Sequence, residues 1–228
     1  MKEIFAQLNI PINENLYLKD PAHSEIGNKI INGSISLIDK LGFESFTFKK
    51  LAIEIHTTEA SIYRYFESKN KLLLYLVNWY WGCVATRLLF ETKNIEDPIK
   101  KLKKAIHVLT AIPDPEKDIM LAKEQALKKI VINEAPKVLQ TKSVDAENKF
   151  GVFALYKEIV KNVAAIITEI NENYPYPNML VSSMIEGSNQ QRFFAEHLPK
   201  LTNVCDDINV VESFYMDLVL KTIKNGEK

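Results

Sequence analysis

The sequence predicts an all-α fold. Apolar residues recur at helical spacings of three and four along nearly the whole chain, whereas strand-like alternation over five or more residues is hard to find. Prolines and polar clusters separate these periodic segments, as they do between helices. With 228 residues, of which 46% are hydrophobic and 25% charged, the chain can bury a sizeable core in one large or two small domains.

The first predicted helix carries one apolar stripe and ends at Gly42, a residue type that tolerates the left-handed conformation of a helix end. Ser34 is the small member of the stripe and suggests that another backbone passes close to it. The stripe consists of Ile26, Ile30, Ser34, Leu37 and Leu41.

Three helices follow in quick succession. A second, short helix starts after Thr47, whose hydroxyl can cap it, and a third runs from about Thr58 to Phe66. Ser68 is the expected N-cap of a long fourth helix that continues towards Phe90. The inward residues of the second helix are Phe48, Leu51, Ala52 and Ile55.

Five further helices are expected after Asn94. They are Pro98 to Ala111, Asp118 to Asn133, about Asp145 to Asn171, Asn178 to His197, and Asp207 to Asn225. Two of them carry apolar seams suited to helix-bundle packing, either inside a monomer or between chains. The seams are Phe153, Tyr156, Val160, Val163, Ile167 and Ile170 in the long helix, and Ile208, Val211, Tyr215, Leu218 and Thr222 in the last one. Ser183 and Gly187 leave room for close helix approach.

The charge balance excludes a diffuse attraction to polyanions. Lysine plus arginine number 29, as do aspartate plus glutamate, and residues 1–71 alone contain nine of each sign. Binding to nucleic acid must therefore come from a few positioned groups, and we expect weak non-specific binding.

Motifs for catalysis and cofactors are missing from the sequence. The seven glycines form neither a dinucleotide fingerprint nor a phosphate-binding loop, and no G-x-S-x-G nucleophile elbow occurs. The four histidines do not have the spacing of zinc or di-iron ligands; they are His23, His56, His107 and His197. We expect no catalytic residue, no metal and no cofactor.

Cysteine usage and hydropathy favour a cytoplasmic protein without a membrane partner. Cys83 and Cys205 lie far apart in sequence, and residues 1–10 lack the apolar run of a secretory leader. No uninterrupted apolar stretch approaches the roughly eighteen residues of a membrane span.

The segment from Gly42 to Lys69 has the pattern of a helix-turn-helix, because two short helices are joined by only a few residues. The second of these helices buries Ile62 and Phe66. It carries small or hydrogen-bonding side chains at its N-terminus, which suit a major groove. From the residues alone, DNA binding and an internal packing hairpin both remain open.

The same segment resembles the DNA-binding domain of the TetR family of bacterial transcriptional regulators. The resemblance rests on the run Ser-Ile-Tyr-Arg-Tyr-Phe-Glu-Ser-Lys at residues 61–69, with Gly42-Phe43 upstream and Leu51-Ala52 between them. The helix end at Gly42 and the cap at Thr47 match in the same register.

This resemblance implies the domain organisation. A three-helix DNA-binding domain would occupy residues 24–67, after an N-terminal extension at residues 1–23. Residues 68–228 would form a helical bundle that binds an effector and dimerises. The resemblance therefore predicts a homodimer, double-stranded operator DNA and a small-molecule effector as partners.

The resemblance also implies roles for single residues. Thr47 would donate to a phosphate, or serve only as a helix cap. Tyr63 and Lys69 would clamp phosphates on either side, and Arg64 would reach a guanine edge or the backbone. The residues expected to face the groove are Thr57, Thr58, Ala60 and Ser61.

Two positions depart from the family's pattern. Glu59 stands where the family often has lysine; it would either accept a hydrogen bond from a cytosine amino group or be a solvated or ion-paired glutamate. His56 stands where the family often has glycine in the turn. It would titrate near neutrality or be a polar filler.

The second domain would hold its effector in an apolar pocket between helices. The predicted ligand contacts are Trp79, Cys83, His107, Phe153 and Tyr156, and the further aromatic candidates are Tyr80, Trp81 and Phe90. Each of them also fits an ordinary core position. The composition favours an apolar or aromatic effector.

The resulting hypothesis is a dimer with two recognition helices roughly 34–36 Å apart on a pseudo-palindromic operator. Binding would repress transcription, and the effector would change the spacing of the helices through the fourth helix. Activation remains an alternative mode. The alternative function is a helical small-molecule-binding or protein-interaction protein without DNA binding.

Overall fold

A computed structural model describes residue 10 and residues 12–116, 119–204 and 209–224. Over these ranges the chain forms helices and no β-strand, which confirms the predicted all-α class. Short 3-10 helices cover Glu14–Leu16 and Pro199–Leu201. The α-helices are α1 (Glu25–Leu41), α2 (Phe48–Glu54), α3 (Glu59–Tyr63), α4 (Lys69–Thr92), α5 (Pro98–Thr110), α6 (Ile119–Glu134), α7 (Pro136–Leu139), α8 (Val144–Lys149), α9 (Ala154–Ile170), α10 (Pro177–His197) and α11 (Val210–Lys224).

The helices group into two compact units. The first contains the chain up to Gly82 together with Asp114–Ala154, and the second contains Cys83–Pro113 and the chain from Leu155 onward. These two units differ from the two domains that the resemblance implies, whose boundary lies between residues 67 and 68. That boundary describes a functional division and stays a prediction.

In the first unit, α1 has defined ends. The Ser24 hydroxyl accepts a hydrogen bond from the Gly27 amide at 3.1 Å and caps the start. At the other end Gly42 has φ +74°, and its amide donates to the Ile38 carbonyl at 2.8 Å. The positive φ explains why glycine ends this helix. Ser34 is fully buried, and its hydroxyl donates to the Ile30 carbonyl.

The end of α6 packs beside the turn that follows α1. Glu134 is 6% exposed, and its Oε1 accepts a hydrogen bond from the Phe43 amide at 3.0 Å. Lys137 Nζ lies 2.7 Å from Glu134 Oε2 and 3.5 Å from Glu44 Oε1. Burial lowers the pKa of Lys137, but the hydrogen bonds and charges of both carboxylates outweigh burial and raise it. An ion-paired carboxylate thus anchors this turn.

The predicted single helix from Asp145 to Asn171 is wrong, because the structure divides it into α8 and α9. Gly151 lies between the two helices with φ +75°, a conformation that does not continue an α-helix. The predicted seam changes accordingly, since Phe153 and Tyr156 are only half-buried. The buried residues of α9 are Ile159, Val163, Ala164, Ile166 and Ile167.

In the second unit, α11 packs against α5 and α10. Its buried residues are Val211, Tyr215, Val219 and Ile223, all four apart. The residues buried within the single chain differ from the second half of the predicted seam, where Leu218 is 40% exposed and Thr222 is half-buried, so packing of that half between chains stays a prediction. Ile208, the first residue of that seam, lies outside the described residues.

Helix α4 is the one described helix whose length and composition would suffice to cross a membrane. However, 72% of its apolar window is buried inside the fold. The leucines Leu72, Leu73 and Leu76 are fully buried. This burial is the pattern of a core helix.

Candidate nucleic-acid interface

Threonine side chains that accept hydrogen bonds from backbone amides fix the starts of α2 and α3. Thr47 Oγ1 accepts from the Lys50 amide at 3.2 Å, and Thr58 Oγ1 accepts from the Ser61 amide at the same distance. Both threonines have the extended backbone of an N-cap. The hydroxyls of Thr58 and Ser61 also pair with each other at 2.8 Å.

The turn between the two helices passes through the left-handed region at His56, whose φ is +54°. In the same turn the Thr57 amide donates to the Ala52 carbonyl at 2.9 Å. A side chain with a Cβ is strained in this conformation, although histidine tolerates it better than most. The conformation gives a physical reason for the glycine that the family often has at this position.

Packing of α3 into the first unit leaves one face open to solvent. Ile62 and Phe66 are fully buried, and Tyr65 is 3% exposed. None of the nine predicted DNA contacts is buried. The exposed ones are Thr47, Thr58, Ala60, Tyr63 and Arg64, and the half-buried ones are Thr57, Glu59, Ser61 and Lys69. The structure thus brings the predicted contacts of α2 and α3 to an accessible surface.

Tyr63 is 48% exposed, and its ring packs edge-to-face on Phe48 with centroids 5.0 Å apart. The contact joins α2 to α3 and restricts the ring. A phenol held in this way has its orientation set before any phosphate is bound.

Lys69 is engaged within the first unit. Its Nζ donates to the carbonyls of Phe43 at 3.0 Å, Glu44 at 3.3 Å and Phe46 at 3.2 Å, and it lies 4.7 Å from the centroid of the Phe43 ring. An ammonium group has three donors, so these bonds use all of them. Lys69 therefore holds the turn after α1, and its predicted contact to a phosphate would require one donor to be redirected.

Glu59 forms no ion pair within the part of the chain that the structure describes. Of the predicted alternatives, the ion-paired glutamate loses support, whereas the solvated glutamate and the base contact both remain. Within the described ranges, no cluster of three histidine, cysteine or acidic residues can hold a metal.

The predicted ligand contacts do not converge on one site. Trp79 contacts Tyr75 and Lys123 in the first unit. In the second unit, His107 pairs with Glu212 at 2.8 Å, and Tyr156 donates to Glu186 at 2.6 Å.

The remaining aromatic and sulfur candidates also lie apart. Cys83 is 2% exposed, and Phe153 is half-buried just before α9. Tyr80 and Trp81 are buried, whereas Phe90 is 53% exposed.

The second unit instead contains a groove of about 540 Å³, formed by the C-terminal half of α4, α5 and α9. Its buried apolar lining residues are Leu88, Ile159, Val163 and Ile166. Its polar and charged lining residues are Lys101, Glu158, Asn162 and Glu169. None of the five predicted ligand contacts lines this groove.

The sequence contains a signal for the groove that the seam interpretation missed. Leu155, Ile159, Asn162, Ile166 and Glu169 recur at spacings of three and four, so they form one stripe of α9. The stripe mixes apolar with polar residues, which is typical of a partly open surface and not of a closed core.

Comparison with known protein families gives one match. Residues 30–76 match the model of bacterial regulatory proteins of the tetR family. The matched range covers most of α1, all of α2 and α3, and the start of α4. A comparison with curated proteins found no match.

Solved structures share the fold over most of the chain. The TetR family transcriptional regulator PfmR from Thermus thermophilus has 17% identity and a TM-score of 0.59, covering 84% of this chain and 97% of its own. AibR in complex with isovaleryl coenzyme A and operator DNA has 14% identity and a TM-score of 0.55, covering 84% and 96%. A putative transcriptional regulator from Saccharomonospora viridis in complex with choline has 16% identity and a TM-score of 0.59, covering 85% and 94%.

Proposed function

We propose that this chain, a tetR-family transcriptional regulator by its DNA-binding domain, is a repressor that a small apolar or aromatic effector releases from a pseudo-palindromic operator. The observation that carries the proposal is the open face of α2 and α3, where capping threonines, Ala60, Tyr63 and Arg64 lie accessible above a buried core. This combination suits a major groove.

TetR family regulators are DNA-binding proteins and not enzymes, and the proposed function accordingly includes no catalytic activity. Operator DNA and a small-molecule effector are the partners typical of such regulators. We propose the cytoplasm as the place of action, where both partners are accessible.

Selection from random double-stranded DNA tests the proposed function. We expect enrichment of a site with two-fold symmetry, whose half-sites lie about one helical turn apart, roughly 34–36 Å. Absence of any enriched site would contradict DNA recognition and favour the alternative of a helical small-molecule-binding or protein-interaction protein.

Single-residue variants then separate phosphate contacts from base contacts. Tyr63→Ala is expected to weaken binding to all DNA sequences alike and to leave the salt dependence unchanged, because the phenol carries no charge. Lys69→Ala is expected to flatten the salt dependence if one of its donors is redirected to a phosphate; since Lys69 also holds the turn after α1, the free energy of unfolding of this variant is measured alongside. Lys161→Ala, at an exposed position of α9, is the control of equal charge. Substitution of Ser61 or Glu59 is expected to change which bases are selected. Identical selected sites would remove both residues from the base contacts.

The effector proposal rests on the groove of the second unit. Its apolar lining favours an effector with an apolar or aromatic body, and its size is within the range of small-molecule sites. The two neighbouring structures in complex contain isovaleryl coenzyme A and choline, which are chemically different, so they support effector binding in general and no particular class of effector.

Release from the operator sets an energetic requirement on the effector. To change the population ratio of the operator-competent state to the released state from 99:1 to 1:99, the effector must bind the released state more tightly by about 5.5 kcal/mol.

A substitution that fills the groove tests this site. Ala165 is an exposed lining residue, so Ala165→Trp is expected to block effector entry while the core of the second unit stays intact. Lys161→Trp adds the same side chain at an exposed position of α9 outside the groove. In a screen of apolar and aromatic compounds for operator release, Ala165→Trp should lose the response that Lys161→Trp retains. Equal responses would rule out the groove.

We also propose a homodimer in which α10 and α11 form a two-fold four-helix interface. Large apolar side chains of these helices are solvent-exposed in the single chain: Met179 is 65%, Phe214 54% and Leu218 40% exposed. Phe214 and Leu218 are four residues apart and share one face of α11. Burial of such a face stabilises association.

A further inference from the structure

The segment before α1 packs along the first unit and contacts the end of α3, which is the recognition helix of the proposed function. We name residues 12–24 the N-terminal strap. Leu16 is 1% exposed, and the Tyr17 ring packs edge-to-face on Tyr75 of α4 with centroids 6.1 Å apart. The strap is therefore part of the unit's core and not a loose extension.

Three strap residues contact Tyr65, which lies two residues after the end of α3. The Leu18 amide donates to the Tyr65 carbonyl at 2.8 Å, and the Ser24 hydroxyl pairs with the Tyr65 hydroxyl at 2.9 Å. Lys19 Nζ lies 5.2 Å from the centroid of the Tyr65 ring. The backbone, the ring and the hydroxyl of one residue are thus all held by the strap.

The other end of the strap contacts the turn between α8 and α9. Asn13 Nδ2 donates to the Phe150 carbonyl at 2.8 Å, and Asn15 Nδ2 reaches the same oxygen at 3.4 Å. Gly151, the next residue, is the left-handed position that separates the two helices. The strap thereby connects this turn, the side of α4 at Tyr75 and the end of the recognition helix.

The recognition helix itself is short. It has five residues, and the amides of Tyr65 and Phe66 both donate to the Ile62 carbonyl, at 2.9 and 3.1 Å. A helix of this length has little stability of its own, so contacts from elsewhere must fix its orientation. The strap supplies such contacts at its C-terminal end.

We propose that Leu18, Lys19 and Ser24 are positioning residues, which set the orientation of the recognition helix through Tyr65 and so determine operator specificity. This inference rests on the proposed DNA-binding function. The strap residues act through Tyr65 and need no DNA contact of their own. The strap also contacts the turn at Phe150. A movement of that turn would therefore shift the strap and change the orientation of the recognition helix without any movement of α4.

A matched pair of variants at Leu18 tests the proposal. Leu18 is 66% exposed, so Leu18→Ala removes a side chain with little packing and keeps the amide donor. Leu18→Pro also removes the donor to Tyr65. Tyr17, which precedes it, already has φ −142° and ψ 154°, the extended conformation that a following proline requires.

Two measurements on the full chain report on this pair. In hydrogen exchange without DNA, the Tyr65 and Phe66 amides are expected to exchange about tenfold faster in Leu18→Pro than in Leu18→Ala. The exchange rates of the amides in α10 and α11 should be the same in both variants. Leu18→Pro is expected to bind the selected operator about five- to tenfold more weakly than Leu18→Ala. The two variants should share the same salt dependence of binding and the same affinity for random DNA. Leu18→Pro should accept a broader range of bases in the operator. A role in stability alone would not broaden the base preference.

The outcomes separate this inference from the proposed function. Equal exchange in the two variants overturns the strap's role whatever the DNA result. Equal operator affinity and base preference overturn its role in recognition. Failure of the wild-type chain to select a site contradicts the proposed function, whereas hydrogen exchange still decides whether the strap holds Tyr65. If Leu18→Pro does not fold, Lys19→Ala combined with Tyr65→Phe removes the ring and hydroxyl contacts instead, and unchanged exchange in that variant overturns the proposal.

Discussion

At the scale of single residues, the candidate interface combines recognition with local structure. Thr58 Oγ1 bonds both the amide and the hydroxyl of Ser61, so two predicted groove contacts also hold the start of α3. Loss of a threonine cap costs about 1 kcal/mol. Replacement of Thr58 would therefore change the proposed groove contact and the stability of the helix together, whereas Ala60 and Arg64 have no such second role among their described side-chain contacts.

His56 gives a prediction about stability alone. Its φ of +54° is unfavourable for a residue with a Cβ and favourable for glycine. We expect His56→Gly to raise the free energy of unfolding by about 0.5–1 kcal/mol, because relief of the backbone strain exceeds the added entropy of the unfolded chain. Urea denaturation followed by circular dichroism measures this change.

His56→Ala is the control for this prediction. Alanine keeps the Cβ and loses the imidazole, so it should give no gain if the backbone conformation is the cause. A stability of His56→Gly at or below that of His56→Ala would mean that the turn does not hold the left-handed conformation in solution.

At the scale of helices, α10 and α11 pack closely at one glycine. A Cβ on Gly187 would clash with the Tyr215 hydroxyl and would lie 3.1 Å from its Cζ. Alanine would gain about 1 kcal/mol of helix propensity, but overpacking of this size costs typically 1–3 kcal/mol. We expect Gly187→Ala to lower the unfolding free energy of the second unit by up to about 2 kcal/mol, measured by urea denaturation.

A double variant isolates the clash. Tyr215→Phe removes the clashing oxygen and leaves the ring carbon at 3.1 Å, a distance that a small shift can relieve. Gly187→Ala should therefore cost at least about 1 kcal/mol less in the Tyr215→Phe background. An equal cost in both backgrounds would assign the effect to something other than the Tyr215 hydroxyl.

Helix starts and the DNA-binding segment could be predicted from sequence because their signals are local. Thr47, Thr58 and Ser68 have the side chains that cap helices, and in the structure the hydroxyl of each accepts a hydrogen bond from an amide of the following turn. The break at Gly151 was missed because an isolated glycine inside an apolar repeat has no unique interpretation. Its left-handed φ becomes visible only in the folded chain.

Contacts between distant segments had no sequence signal of this kind. The Tyr65 hydroxyl meets Ser24 across 41 positions, and Glu134 meets the Phe43 amide across 91. A buried carboxylate and a strap residue look like ordinary surface polar residues in sequence. The groove on α9 differs from these contacts, because its mixed stripe of apolar and polar residues can be read in the sequence; the predicted seam took only the neighbouring apolar positions, of which Val163 belongs to both.

At the scale of the whole molecule, the charge balance limits how DNA affinity can arise. Residues 1–71 contain nine basic and nine acidic residues. Because the two signs balance, this part of the chain has no net positive charge to attract phosphates over a distance, and non-specific binding should be weak. High operator affinity then requires two domains bound at once, which raises the effective affinity by roughly 10²–10⁴-fold.

In the proposed function, operator binding therefore depends most on the proposed dimer. Leu218→Asp places a charge in the exposed apolar face of α11 and is expected to give a monomer in sedimentation at micromolar concentration, with at least about 100-fold weaker binding to the two-fold operator. Ile99→Asp is the matched control, because Ile99 is also 40% exposed and lies on α5. It should remain a dimer and bind normally. A Leu218→Asp dimer would exclude this face of α11 from the interface, and a monomeric wild-type chain would contradict the dimer itself.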